Sequence, residues 1–312
     1  MIRILKSGIQ TTVQETRREG FLSLGFPASG PMDSLSMMGA NYLTGGAPYA
    51  AALEMYIQGP SIQFEQPCAI AICGADMSPK VNGKPVLQNA LIEVSKGDHL
   101  EFEPAKNGLI AYLAFNASLK VSPYLFSKST YLAGSLGGYK GRSLIKGDTI
   151  EFEEQKSVKH LELPNVFRYI QQNELYLRIV KGPEFELFEK KDQESFLNNG
   201  YKISNDSNRM GIRLLGDSPK EIAKSDIISS AVLPGTIQIP KNGNPIIMMH
   251  DHQTTGGYCR IGNVITHDLD FLSQALPASD VSFRLISNTK SVELLKKRIN
   301  LVNRLFAKRN IS

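Results

Sequence analysis

A duplication at fixed offset constrains this chain more than any other feature. Arg3-Ile4-Leu5-Lys6 recurs as Arg178-Ile179-Val180-Lys181, and Ser61-Ile62-Gln63-Phe64 recurs as Thr236-Ile237-Gln238-Ile239, both 175 residues later. Each copy of the second element follows a Gly/Pro pair, Gly59-Pro60 or Pro234-Gly235. Shared spacing implies two related domains in tandem. That suits 312 residues at roughly 150 residues per domain. A closer pair, starting at Lys96-Gly97-Asp98 and Lys146-Gly147-Asp148 and each followed by alternating residues, reads as two turn-then-strand units.

The body is β-rich. Short alternating stretches at Ser61–Phe64, 69–73, 90–94, 100–103, 109–115, 149–153, 176–180, 246–249 and 281–286 are separated by turn residues such as Asn82-Gly83 and Asn242-Gly243-Asn244-Pro245. Asp33 or Ser34 can cap a helix running to about Leu43, and further helices are predicted over 184–197, 265–276 and the tail. The layout is therefore a β domain over 1–172, a second over 174–287 and a C-terminal helix over 288–312, with a ligand expected in the crevice between the domains.

Composition narrows the function. A hydrophobic content of 42% excludes disorder. One of the longest apolar runs, 108–115, is far short of the roughly 20 residues a membrane helix needs. The N-terminus carries no secretory signal pattern. Three cysteines, Cys68, Cys73 and Cys259, with no CxxC, read as reduced thiols in a cytoplasm. The net charge of +5 is local: residues 288–312 hold seven Lys/Arg against the single acid Glu293. Val292, Leu295, Ile299, Val302 and Phe306 form one apolar stripe there, predicting a docked helix with a solvated basic face rather than a nucleic-acid or membrane arm.

Three segments carry candidate chemistry. The sharpest is His250-Asp251-His252-Gln253-Thr254-Thr255-Gly256-Gly257-Tyr258, following an apolar strand. Asp251 could orient or deprotonate a reacting group, Gln253, Thr254 and Thr255 could read a carboxylate or amide, and Gly256-Gly257 could offer backbone donors. His250 and His252, two apart, would share one strand face as metal ligands often do; no third ligand supports a metal, and none is expected. The second segment is Ser29-Gly30-Pro31-Met32-Asp33-Ser34, leading to Asn41 and Glu54. It opens a helix and could aim N–H groups at an anion, or simply cap the helix through Asp33. The third holds Arg209 and Arg213, able to clamp a carboxylate or phosphate or to form an interdomain salt bridge. No GxxxxGK[ST], Rossmann fingerprint, GxSxG or HExxH occurs, so any ATP is handled by an uncommon site or a partner.

Together these segments resemble the KipA family, the allophanate-hydrolase-subunit-2-like proteins described as the C subunit of bacterial 5-oxoprolinase. The chain is also similar to half of the carboxyltransferase domain of urea carboxylase. The likeness runs through Ser29–Asp33, Ala51-Ala52-Leu53-Glu54, Gly59-Pro60, Arg209–Leu214, Gly235–Pro240 and, most specifically, Asp251–Tyr258. It implies a mainly β fold of two tandem cyclophilin-like β-barrels plus the basic helix. It implies a cytoplasmic component of an ATP-dependent enzyme that opens 5-oxoproline to glutamate. Its partners there would be a KipI-like protein (the B subunit) and the A subunit. ATP with Mg would be consumed in the assembled complex, and no activity is expected of the chain alone. On that reading Arg209 and Arg213 bind an anion, Gln253, Thr254 and Thr255 take the amide and carboxylate, Asp251 and Asp33 handle protons or orientation, and Ser29, Asn41, Glu54 and Tyr258 complete substrate binding. The rival readings are biotin-dependent carboxyl transfer to urea or a related amide, and a regulatory protein that binds a KipI-like kinase inhibitor.

Overall fold

The computed structural model describes residues 1–172, 174–217, 219, 227–241 and 243–309. The chain divides into unit 1, Met1–Glu19, Ser29–Gln171 and Lys308–Ser312, and unit 2, Gly20–Ala28 and Gln172–Ala307. Gly20–Ala28 thus groups with the second unit although it lies in the first 172 residues.

Unit 1 holds β1 (Ile2–Lys6), β2 (Gln10–Gln14), β3 (Ala52–Tyr56), β4 (Ser61–Phe64), β5 (Cys68–Asp76), β6 (Lys80–Val81), β7 (Lys84–Pro85), β8 (Leu91–Val94), β9 (His99–Glu101), β10 (Asn107–Phe115), β11 (Ala117–Leu119), β12 (Thr149–Ile150) and β13 (Phe152–Gln155). They form one sheet in the order β12-β1-β4-β9-β6-β7, a second in the order β2-β3-β10-β5-β8, and the small pair β11-β13. Alternation puts Ile2, Ile4, Ile62 and Phe64 of the first sheet and Val13, Leu53, Met55, Ile70, Ile72 and Leu113 of the second into one core. The two Lys-Gly-Asp turns have the same construction. Gly97 and Gly147 adopt φ of 94° and 91°, and the Asp98 and Asp148 carboxylates each accept the backbone N–H three residues back, from Ser95 and Ile145. A left-handed glycine and a local carboxylate acceptor specify each turn without help from the core.

Unit 2 holds β14 (Glu174–Lys181), β15 (Tyr201–Ile203), β16 (Gly211–Leu215), β17 (Ser230–Ala231), β18 (Thr236–Ile239), β19 (Ile246–Met248), β20 (Thr255–Gly256), β21 (Cys259–Val264) and β22 (Asp280–Leu285). Seven of them close a barrel in the order β14-β21-β18-β19-β16-β15-β22, with β14 and β22 parallel in register from Glu174↔Asp280 to Ile179↔Leu285. The duplicated segments are used differently in the two units. β1 pairs directly with β4, Ile2 opposite Phe64, whereas β21 separates β14 from β18. In the barrel wall Ile212, Leu214, Ile237, Ile239 and Ile247 are buried on one face. Gly211, Arg213, Gln238, Ile246 and Met248 fall at the alternate positions and share the other face.

Four helices complete the described structure: α1 (Ser34–Leu43), α2 (Lys190–Asn198), α3 (Thr266–Ser273) and α4 (Asn288–Arg309). The segment expected to be helical from Glu184 instead opens with a single 3-10 turn, Phe185–Leu187, and α2 begins at Lys190. The reason is tertiary: the Glu184 carboxylate is held by the guanidinium of Arg260, 76 residues away, at 2.6 and 2.9 Å and by the Arg260 N–H at 2.9 Å. α2 docks through Phe196, whose ring stacks on Phe283 at 4.7 Å between centroids. The Asp268 carboxylate on α3 accepts the Arg178 guanidinium and backbone N–H.

The tail stripe corrects expectation in part. Val302 and Phe306 are buried, but Val292, Leu295 and Ile299 are 49%, 37% and 48% exposed. The buried row is Arg298, Val302 and Phe306, spaced four apart, because Arg298 pairs at 2.5 Å with the buried Asp270 carboxylate and turns that row inward. All three cysteines are buried and outside any disulfide. Among the described residues no helix is long and apolar enough to cross a membrane.

Candidate functional site

In unit 1 the residues singled out from sequence converge on the N-terminus of α1. Asp33 is the N-cap, accepting the Ser36 N–H at 3.0 Å and the Ser36 hydroxyl at 2.5 Å. The donors expected to face an anion are used internally: Met32 N–H donates to Glu54 Oε2 at 3.0 Å, and Asp33 N–H donates to the Tyr112 hydroxyl at 2.9 Å. Tyr112 in turn donates to Glu54 Oε2 at 2.6 Å. Burial, then the charges of Glu54 and Asp33, pushes the Tyr112 phenol well above its ordinary value, so it stays a donor. Ser29 Oγ accepts the Arg18 guanidinium at 3.3 Å, and Asn41 Nδ2 donates to the carbonyls of Pro48 and Ala50. Ser29, Asp33, Asn41 and Glu54 are all buried. The segment expected to aim N–H groups at an anion thus forms a buried polar network that fixes the start of α1, because a helix start inside a core must satisfy its own N–H groups.

In unit 2 Arg209 and Asp251 are brought together, with each other. Arg209 Nε donates to Asp251 Oδ2 at 2.8 Å and Nη2 to Oδ1 at 3.2 Å, and the Asp251 N–H donates to the Arg209 carbonyl. Both residues are buried. Arg209, expected to grip an anion, and Asp251, expected to handle a proton, form a buried fork-on-fork pair that ties the turn after β19 to the segment before β16. His250 and His252 do not share a strand face, because β19 ends at Met248 and both lie in the following turn. His252 Nδ1 faces the Gln253 carbonyl oxygen at 2.6 Å. Among the described residues no group of three or more His, Cys, Asp or Glu is placed to hold a metal.

The corner reaches a cavity through other residues. A cavity of about 680 Å³ is lined by Gln253 and Tyr258 of the corner, by Arg213, Ile246, Met248, Gly211 and Gln238 of the barrel wall, and by Ser204, Asp206, Asn208, Lys241 and Asn244 of the loops around it. All belong to unit 2. Most of these wall residues belong to the face opposite the buried isoleucines, and Leu214 of the buried face lines the cavity as well. Register places Arg213 opposite Ile246 and Ile246 opposite Gln238, so the three stand abreast on neighbouring strands. The mouth carries the cations Arg213 and Lys241 and the acid Asp206, and no ion pair of Arg213 or Lys241 occurs among the described residues. Thr254 is half-buried, Thr255 and Gly257 are exposed, and Gly256 is buried; none of the four lines the cavity.

Gln238 is the residue that sequence reasoning passed over. Its signal was present: in Thr236-Ile237-Gln238-Ile239 the alternation puts Gln238 on the face opposite the two isoleucines.

A two-unit β chain with a polar, cation-bearing cavity at the wall of a closed barrel is the class that fold and site define. The chain belongs to the carboxyltransferase domain family, subdomain A and B, whose model matches residues 24–285. It is 33% identical over 274 residues to the 5-oxoprolinase C subunit of Escherichia coli (strain K12), covering 88% of this chain and 87% of that protein. It is 32% identical over 309 residues to the urea amidolyase of Lachancea kluyveri, covering 91% of this chain but 17% of that protein. The crystal structure of the K. lactis urea amidolyase superposes with a TM-score of 0.91 at 28% identity, over 97% of this chain. This chain spans 20% of that one.

Proposed function

We propose that this chain is the C subunit of a 5-oxoprolinase, which opens the lactam of 5-oxoproline to glutamate at the cost of ATP. It would act with a KipI-like protein (the B subunit) and the A subunit. The observation that carries the reading is the end-to-end match to a 5-oxoprolinase C subunit, 88% of one chain against 87% of the other. The cavity supports it chemically. Arg213, with no ion pair among the described residues, offers a cation for the substrate carboxylate, and Gln253 and Tyr258 offer polar groups around a small amide.

A five-membered lactam resists hydrolysis because resonance stabilises its C–N bond, and phosphorylation of its oxygen by ATP would make the carbon electrophilic. Water then adds to that carbon and the C–N bond breaks, the nitrogen taking a proton to become the amine of glutamyl phosphate; a second water hydrolyses that acyl phosphate to glutamate and phosphate. The role of this chain is to hold the carboxylate and orient the amide. The α1 N-terminus, whose donors are used by Glu54 and Tyr112, provides no phosphate cradle; the nucleotide belongs to the assembled complex.

The test is co-purification with the products of the adjacent genes, followed by an assay for glutamate from 5-oxoproline. Glutamate formation that needs ATP and every component is expected; none in any combination would overturn the proposal. A second reading, biotin-dependent carboxyl transfer to urea or a related amide, is favoured by the 0.91 TM-score to the urea amidolyase. It predicts turnover that avidin abolishes. The regulatory alternative predicts a tight complex with a KipI-like protein and no turnover.

A further inference from the structure

We infer that Arg260 is a positioning residue of the unit 2 cavity, acting with Glu184 to hold the strap from Gln253 to Tyr258 in place so that the side chains at its two ends stay at the cavity. The inference rests on the reading of that cavity as the substrate site, and it adds the device that sets two of its lining residues.

The strap lies outside the seven strands of the barrel. Its middle, Thr255 and Gly256, pairs as β20 with β17, Ala231 opposite Thr255 and Ser230 opposite Gly256, and the Val232 N–H donates to the Thr254 carbonyl. A two-stranded ribbon this short is marginal by itself. Arg260 supplies the missing hold. Its Nη1 donates to the Ala231 carbonyl at 2.9 Å. The rest of the group is locked: Nε and Nη2 donate to the Glu184 carboxylate at 2.9 and 2.6 Å, and the Arg260 backbone N–H donates to it at 2.9 Å. The two side chains are only 15% and 12% exposed, and a charge-assisted fork shielded from water is stiff and directional.

The backbone aims this side chain. Between β18 and β21 the register slips, with Ile237 opposite Gly262 but Gln238 opposite Arg260, so Ile261 is the extra residue of a β-bulge. A bulge re-aims the side chains beside it and is common next to functional sites. Arg260 lies two residues beyond Tyr258, so one short segment carries both the clamp and a lining residue. The strap also fits closely. A Cβ on Gly256 would lie 2.4 Å from Nε2 of the wholly buried Gln238 and 3.1 Å from Val232 Cγ2. Gln253 and Tyr258 flank this stretch and both line the cavity. A strap displaced by about 1 Å would carry both from their ligand, and such a shift can cost on the order of 100-fold in rate.

The experiment uses the full-length chain. Arg260→Lys keeps a cation for Glu184 but offers one ammonium where the guanidinium spans two acceptors. Arg260→Met with Glu184→Leu removes both charges, so neither is left buried alone. Hydrogen exchange reads the clamp. The Val232 amide, bonded to the Thr254 carbonyl, should exchange at least about tenfold faster in both variants, while the Leu214 amide, bonded to the Pro245 carbonyl, stays within about twofold. NMR titration with 5-oxoproline reads the consequence: the dissociation constant should rise at least about fivefold in both, the worth of about one hydrogen bond. In a chain carrying Gln253→Ala and Tyr258→Ala the same changes should move it less than about twofold, because the strap no longer bears the contacts. Unchanged Val232 exchange, or faster exchange with an unaltered dissociation constant, would overturn the inference and leave the cavity its ligand. Equal losses with and without the Gln253 and Tyr258 side chains would do the same, since Arg260 would then act on something other than the strap. No binding by the unaltered chain would overturn the reading of the cavity, and the positioning role with it.

Discussion

Replacing Asp251 by Asn distinguishes a buried structural pair from a catalytic carboxylate. Arg209 and Asp251 meet at 2.8 and 3.2 Å with side chains only 10% and 3% exposed. For unit charges about 4 Å apart at an effective dielectric of about 20, the attraction is about 4 kcal/mol. Asparagine keeps one acceptor but removes the carboxylate charge that faces the guanidinium, so the expected loss is about 3 kcal/mol, at the low end of what breaking a buried pair from one side costs. For a unit of this size that lowers the thermal midpoint by about 6–12 °C. Urea unfolding followed by circular dichroism reads it directly, and the m-value shows whether the native state itself has changed. Removing both charges, Arg209→Met with Asp251→Leu, should recover most of the loss and fall within about 1.5 kcal/mol of the parent. A single variant within about 1 kcal/mol of the parent, or a double variant as unstable as the single, would refute the argument. Unchanged stability with abolished turnover in the complex would instead restore Asp251 as a proton-transfer group.

The remaining expectations concern the scaffold. Gly74 has φ of 106° and its added Cβ would lie 2.4 Å from the Ile110 carbonyl oxygen, so Gly74→Ala should cost about 2 kcal/mol or more in urea unfolding. Tyr112→Phe removes the donor to Glu54 and the acceptor for Asp33 N–H, and should cost about 1–3 kcal/mol by the same measurement. His267 has its pKa lowered, first by burial and then by Arg298 and Arg178, against the opposing pull of Asp268 and Asp270. Its folded-state pKa lies below the unfolded value of about 6.5, so the unfolded chain takes up more protons as pH falls and stability is lost below that value. Between about pH 7.5 and about pH 5.5 the parent should therefore lose more stability than His267→Phe; equal losses would remove His267 as the titrating group.

The elements most legible in the sequence are those decided within a few residues. Asp33 caps α1 and Leu43 ends it, as the capping pattern requires. β4 occupies Ser61–Phe64, and Leu109–Phe115 lies inside β10. The site was legible only in part. Gln253, Tyr258 and Arg213 were singled out and line the cavity, while Arg209 and Asp251 were singled out and instead bind one another. Ser29, Asp33, Asn41 and Glu54 carried the right polarity for a site but sit in a sealed network. A polar residue beside an apolar run looks the same in sequence whether it serves a ligand or a helix cap, because both need an acceptor in a place water has left.

The sequence by itself determined periodicity, turns, caps and the duplicated spacing, because each depends on neighbours within one turn or one strand. Tertiary structure decided who meets whom. Identical alternation lets β1 pair with β4 while β14 and β18 lie apart across β21. The Asp251 carboxylate finds a guanidinium 42 residues away, and the Gln238 carboxamide, between Ile246 and Arg260, has no hydrogen-bond partner among the described residues. Strand order and register, set by the packing of the whole barrel, choose those partners, and no short-range pattern encodes them.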